Sequence, residues 1–260
     1  MPDDSYRTIR TLLASTSFED LRKGLELAEL EIVKTGSSES KPIFEMVSPL
    51  FYIDALDQPK LVPILDEAIN LAARLGASII PILMEKLNAG DLKAQWAIAH
   101  VLGRIGADAI KPMMMAYASA TDPTFRAFIL YALGKIKSPK VVQAAALALD
   151  AAQSPNLELR DTATRTLGKL AESILPAQLS GELKRLFMER LQGNLADSNA
   201  SVRSKAIRSF GKLAKYGHLT KTESEQLGAA CHHILGTDEN GEWDRAFVVR
   251  KEAEEALKYV

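Results

Sequence analysis

The sequence predicts an all-α fold, an α-solenoid built by stacking copies of one helix pair. Three observations carry this. A nine-residue pattern recurs at 95–103 (QWAIAHVLG), 126–134 (RAFILYALG), 160–168 (RDTATRTLG) and 203–211 (RSKAIRSFG), and 250–258 (RKEAEEALK) is a fifth copy without the glycine. Within a copy the apolar residues, such as Phe128, Ile129, Leu130, Ala132 and Leu133, cover a wide arc of one helix. No segment alternates apolar and polar residues well enough to compete as a strand.

Each element follows from local chemistry. The N-terminal residues lack the repeat but read as helical. Ser17-Phe-Glu-Asp20 has the form of a capping box opening a helix over 18–34. The segment 36–40 (GSSES) reads as a short linker, and Ser40, with Pro42 just inside, opens a second helix toward Leu56. A third, over 60–75, begins the repeats. Aligning the copies makes Ala73, Gly103, Gly134, Gly168, Gly211 and Lys258 equivalent, at spacings of 30, 31, 34, 43 and 47 residues, so the last two units carry insertions. Asp91, Asp122, Asn156 and Asn199 stand four residues before the polar anchors Gln95, Arg126, Arg160 and Arg203, where a side-chain oxygen can cap a helix; Ala246 takes that place before Arg250. The repeated glycines read as helix ends that permit close approach or positive φ. Second helices are expected over 79–88, 108–120, 139–153, 179–195 and 220–235, several with a proline in the first turn. The expected organisation is an N-terminal helical segment, 1–58, capping one continuous repeat domain, 59–260.

Composition narrows the function classes. Among 260 residues, 32 Lys and Arg stand against 33 Asp and Glu, for a net charge of -1, which argues against a broadly basic nucleic-acid groove. A single cysteine, Cys231, excludes an internal disulfide framework. No apolar run reaches membrane-spanning length, and the start, MPDDSYRTIR, lacks the apolar core of a signal peptide. The expectation is a soluble, cytoplasmic protein with no membrane partner.

Chemistry-bearing clusters are few. Cys231-His232-His233 reads as a packed thiol beside surface or capping histidines, because consecutive helical residues point about 100° apart and cannot share one metal. In 237–244 (TDENGEWD) a calcium loop built on Gly241 would need carboxylates where Gly236 and Phe247 stand. Trp243 and Phe247 either fold onto the terminal repeat as a cap or anchor a contact, the former being favoured. Lys205, Arg208, Lys212 and Lys215 recur at spacings of 3, 4 and 3, forming one basic stripe read as a solvated face. No Ser-His-Asp set, nucleotide loop or zinc spacing appears, and no cofactor or metal is expected.

The period near 30, the Asp122-Pro123 to Arg126 offset, and the endings Ala132-Leu133-Gly134 and VLGRIG at 101–106 resemble the HEAT repeat, most specifically the short HEAT-like repeats of phycobilisome-lyase type. The resemblance covers about 60–260. It implies a right-handed solenoid in which Asp and Arg side chains form ladders between repeats; by position the ladder would use Asp91, Asp122, Asn156, Asn199, Arg126, Arg160, Arg203 and Arg250, with Gln95 substituting. It also implies an inner face lined by second helices, which would place Met84, Lys86, Lys111, Met115 and Tyr117 on a partner-binding surface. Met113-Met114-Met115 spreads over most of a helix circumference, and methionine surfaces adapt to varied apolar partners. The expected function is a non-catalytic scaffold or adaptor binding a protein or peptide on the concave face. The alternatives are a phycobilin-lyase-type enzyme or subunit and a nucleic-acid-binding protein. Nucleic acid and small molecules are not the expected ligands. The His-Glu dipeptides of HEAT-repeat hydroxylases are absent from the sequence.

Overall fold

The computed structural model describes residues 2–36, 40–179 and 181–260. Residues 37–39 of the expected linker lie outside the described residues. All regular structure among the described residues is helical, and the chain divides into two compact units, Met1–Ala116 and Tyr117–Val260. No single helix among them is long and apolar enough to cross a membrane.

The first unit holds α1 (Pro2–Leu13), α2 (Phe18–Thr35), α3 (Ser40–Val47), α4 (Val62–Arg74), α5 (Ile80–Ala89) and α6 (Leu92–Ile105), with the start of α7 (Ile110–Ser119). The helix α1 lies in the N-terminal segment that reads as helical, although the sequence delimits no element there. Its Ile9 and Leu13 are buried, and it packs mainly along α2. The cap on α2 forms, with Ser17 accepting from the Asp20 N–H, but not as a reciprocal box. The Asp20 carboxylate instead accepts from Ser15 Oγ at 2.8 Å, and Ser15 Oγ accepts the Ser17 N–H at 3.0 Å. A complete capping box closes Thr220 and Glu223 instead, because Glu has the reach that Asp lacks. The helix expected from Ser40 toward Leu56 stops at Val47 and tightens into a 3-10 turn, Ser48–Tyr52. Pro49 explains this, since its ring has no N–H to continue the ladder. Phe51 on that turn meets Phe44 edge-on at 6.0 Å and fills the centre of the unit.

The second unit holds a first signature helix followed by three packed pairs, each a second helix against the signature helix after it. The signature segments form α8 (Pro123–Leu133), α10 (Leu157–Ala171), α12 (Ala200–Lys215) and α14 (Phe247–Ala256). Their partners are α9 (Ala145–Ala151, preceded by a 3-10 turn at Pro139–Ala144), α11 (Gly181–Leu195) and α13 (Lys221–Leu235). The signature helices pack side by side as one continuous layer, and α10 meets α8 and α12 more extensively than its own hairpin partners.

The repeated glycines make that layer possible, and by close approach rather than by positive φ. Gly103, Gly168 and Gly211 lie inside α6, α10 and α12, not at helix ends, and Gly134 caps α8 with a φ of -67°. A Cβ added at Gly168 would stand 2.7 Å from the Ser209 Cα, and one at Gly211 would stand 3.1 Å from the Ala256 Cα. Positive φ belongs to other glycines, such as Gly106 just after α6 (84°) and Gly236 after α13 (69°).

Short polar side chains sew the layer together. Ser209 Oγ donates to the Thr164 carbonyl at 2.9 Å, and Thr166 Oγ1 is shared between the Thr162 carbonyl of its own helix at 2.8 Å and the Leu130 carbonyl of α8 at 3.2 Å. Both residues are buried, where a hydroxyl needs an acceptor. Asn194 of α11 donates to Thr164 Oγ1 at 2.7 Å and to the Ala152 carbonyl at 3.0 Å, tying the second layer to the first.

Gly168→Ala should therefore destabilise by about 1–3 kcal/mol, the range for overpacking a well-filled interior. Gly193→Ala, in α11 with nothing within 4 Å of the added Cβ, should be neutral or stabilise by about 0.5–1 kcal/mol through helix propensity. Urea unfolding midpoints of the two variants check both signs.

Candidate functional site

The caps expected from the sequence stay within their own helices. Asp91 accepts from the Lys93 N–H, Asp122 from those of Thr124 and Phe125, Asn156 from that of Leu159 and Asn199 from that of Ser201. The carboxylates that bridge neighbouring repeats stand two residues earlier. Arg160 Nε donates to Asp197 at 2.7 Å, and Arg203 donates to Asp244 at 2.6 and 3.0 Å. Each arginine also grips a backbone carbonyl six residues upstream: Arg160 that of Ser154 at 2.7 Å, Arg203 that of Asp197 at 2.8 Å, Arg250 that of Asp244 at 2.6 Å.

The bridging position was legible in the sequence, six residues before each anchor, where Ala89, Ala120, Ser154, Asp197 and Asp244 stand. Asp197, Asp244 and Ser154 adopt the same local turn, each accepting the backbone N–H two residues on, at 2.8, 2.8 and 3.2 Å. Only two of the five positions carry a carboxylate, so the bridge is confined to the C-terminal repeats. Arg126, whose counterpart position is Ser154, leaves its Nε without a hydrogen-bond partner among the described residues and lies over the Tyr117 ring at 5.1 Å. At the other end Arg250 lies over Trp243 and Phe247 at 5.3 and 6.0 Å. Those rings are 66% and 70% exposed, so they do not fold down as the expected hydrophobic cap.

The basic stripe runs along α12 and is largely spoken for. Arg208 pairs with Glu252 of α14, its Nε donating at 2.8 Å. Lys212 meets Glu172 at 2.6 Å, and Lys215 lies over the Tyr259 ring at 5.0 Å. With Glu255, these residues rim a shallow groove of 220 Å³ floored by Gly211 and Ala256. The densest charge lies next to it. Glu172, at the end of α10, receives Lys137 at 2.8 Å and Lys169 at 2.9 Å as well as Lys212. Burial would raise the Glu172 carboxyl, but the three ammonium groups outweigh it and hold it at about 2. Burial pushes Lys212 down despite Glu172, and Lys169 adds to the fall. Lys135 is lowered too, by burial first and then by Arg165, Lys169 and Lys137. Tyr131 sits among them, with Lys135 at 4.7 Å and Arg165 at 5.3 Å from its ring centre, and burial raises its phenol to about 12.

The surface expected around the methionines is arranged differently. Met84 and Lys86 are on α5, and Lys111 and Met115 on α7, so all four belong to second helices; Met115 is 64% exposed, whereas Met113 is fully buried. Tyr117 is buried at 5% exposure beneath Arg126 and offers no accessible ring. The layer formed by the signature helices is the more closely packed one in each unit, α4 with α6 in the first and α8 through α14 in the second. In the first unit that layer carries Trp96, 41% exposed, in a groove of 340 Å³ with Ile69, Lys93 and His100. Cys231 is buried and its thiol is pushed up to about 12, while His232 and His233 turn outward to Thr237 and Asp238. Among the described residues no three His, Cys, Asp or Glu side chains converge as metal ligands.

Residues 80–150 match the family model of HEAT repeats. No curated protein matches the sequence. Solved structures share the fold at low identity. An engineered protein superposes at a TM-score of 0.52 with 16% identity, covering 98% of each chain. A second engineered protein does so at 0.51 with 20% identity, covering 97% of this chain and 67% of its own. The HEAT-like repeats protein of the archaeon Thermococcus onnurineus NA1 superposes at 0.50 with 15% identity, covering 98% of this chain and 96% of its own. The fold is thus that of helical-repeat proteins, with the HEAT pattern recognisable in the middle of the chain.

Two outcomes follow from the ladder and the lysine cluster. Ser154→Asp should supply Arg126 with the carboxylate that Asp197 and Asp244 supply to its counterparts. It should stabilise by about 1 kcal/mol and raise Tm by about 2–4 °C in a thermal melt. Glu172 is held below its ordinary value, so its contribution to stability is full above about pH 5 and is lost as pH falls toward 2. Glu172→Gln should accordingly be less stable than the natural protein at pH 7, with the gap narrowed at pH 3 and closing only near pH 2, as read from urea midpoints across that range.

Proposed function

We propose that this protein is a non-catalytic scaffold that binds a protein or peptide along the signature-helix layer, in particular the face of α8, α10, α12 and α14. One observation carries the reading: this layer is locked at the backbone by Gly168 and Gly211 yet presents a row of half-exposed charged side chains outward. A surface held that firmly is formed before a partner arrives, so association orders little beyond the side chains. Four helices lying side by side also suit an extended segment laid across several of them.

A nucleic-acid reading fits less well. A phosphate backbone needs cations at regular intervals, and this face interleaves them with Asp161, Glu172, Glu252 and Glu255. The aromatic ring at its centre, Tyr131, is already occupied by Lys135 and Arg165 and has little face left for a base. An enzymatic reading of the phycobilin-lyase type would need a bilin pocket and a reacting group, and the thiol of Cys231 is buried and protonated at neutral pH.

A photo-crosslinking amino acid placed at Thr162 or Lys205, on the signature-helix face, should capture peptides selected from a random display library. The same group at Glu189, on α11, should capture few. Equal capture at all three sites, or retention of added bilin with no peptide bound, would discard the scaffold reading.

A further inference from the structure

The charge on the proposed face is unevenly distributed. Five cations, Lys135, Lys137, Arg165, Lys169 and Lys212, surround the single carboxylate of Glu172, which takes three of them. Among the described residues neither Lys135 nor Arg165 is ion-paired; both are spent on the Tyr131 ring. These groups are half-buried, where a like charge is screened less by water than at an open surface. The cluster costs the folded chain something by itself, and an incoming anion would remove that cost.

We infer that this cluster is a recognition site for an acidic peptide segment, one whose carboxylates lie across the ends of α8, α10 and α12. The inference rests on the scaffold reading above and gives it a partner chemistry. The cations are distributed rather than convergent: Lys135 follows α8, Arg165 and Lys169 lie on α10, and Lys212 on α12. Neighbouring helices stand about 10 Å apart and an extended peptide advances about 3.3 Å per residue, so an Asp or Glu about every third residue meets successive helices. A single phosphate could satisfy only part of this arrangement, and only one member, Arg165, has the fork that grips phosphate bidentately.

Fluorescence anisotropy with labelled probes of equal length tests this: a peptide with Glu at every third position, its Gln and Lys counterparts, and oligo-dT, with inorganic phosphate as competitor. The Glu peptide should bind tightest, resist phosphate, and weaken as salt is raised. The double variant Lys135→Gln, Arg165→Gln should weaken it by about tenfold, the loss of two ion pairs near the surface. Among the described residues neither side chain is hydrogen-bonded into the fold, and circular dichroism should show that the variant remains helical. Lys221→Gln, on the outer helix α13, should leave the affinity unchanged. Unchanged affinity in the double variant overturns the inference, as does tighter binding of oligo-dT or full displacement by phosphate. If the Gln or Lys peptide binds this face as well as the Glu peptide, the acidic partner is wrong while the scaffold stands. If no peptide binds, both fall.

Discussion

The structure of the second unit depends on how closely its signature helices approach. At Gly168 and Gly211 the missing side chain lets the backbone of one helix rest against the next, and the residues placed opposite, Ser209 and Ala256, are small for the same reason. Close approach removes room for large apolar side chains, so the layer is held by dispersion between backbones and by hydroxyls that donate to neighbouring helix carbonyls, as Ser209 and Thr166 do. Large residues such as Phe187 and Leu191 fill the space between the two layers instead. This division explains why the chain is rich in Ala, Gly and short polar residues at positions that sequence periodicity assigns to a core.

The same spacing sets the electrostatics. Helices packed this tightly bring charged residues of consecutive repeats within reach, and the chain uses this in two ways. On the loop side, Arg160 and Arg203 reach forward to Asp197 and Asp244 and backward to a carbonyl, so each guanidinium fixes both the entry of its own helix and the register of the next. At the opposite ends of the helices, Lys137, Lys169 and Lys212 converge on Glu172. The first arrangement is balanced in charge; the second is not, and the imbalance marks it as a place to receive an anion. A net charge of -1 for the whole chain conceals this, because the compensating acids lie elsewhere.

The repeats differ in how completely they carry the ladder. Asp197 and Asp244 provide it, Ser154 preserves the turn without the charge, and the equivalent positions farther upstream are alanines. Arg250 lies instead over two exposed aromatic rings, Trp243 and Phe247.

The sequence by itself determined the all-helical architecture, the positions of the signature helices and the identity of their caps, because apolar periodicity and Asx capping are local effects that need only a few neighbouring residues. It also located the stripe from Lys205 to Lys215. The expected ladder used the capping positions and not Asp197 and Asp244 two residues before them, which stand six residues ahead of Arg203 and Arg250. Tertiary structure alone decided which layer packs closest, that the glycines serve contact rather than turn geometry, that Tyr117 is buried, and that three lysines converge on Glu172. Those outcomes depend on residues some 30 to 45 positions apart in the chain, as for Ser209 on Thr164 or Lys212 on Glu172. Such pairings follow from helix spacing and rotation, which no local pattern encodes.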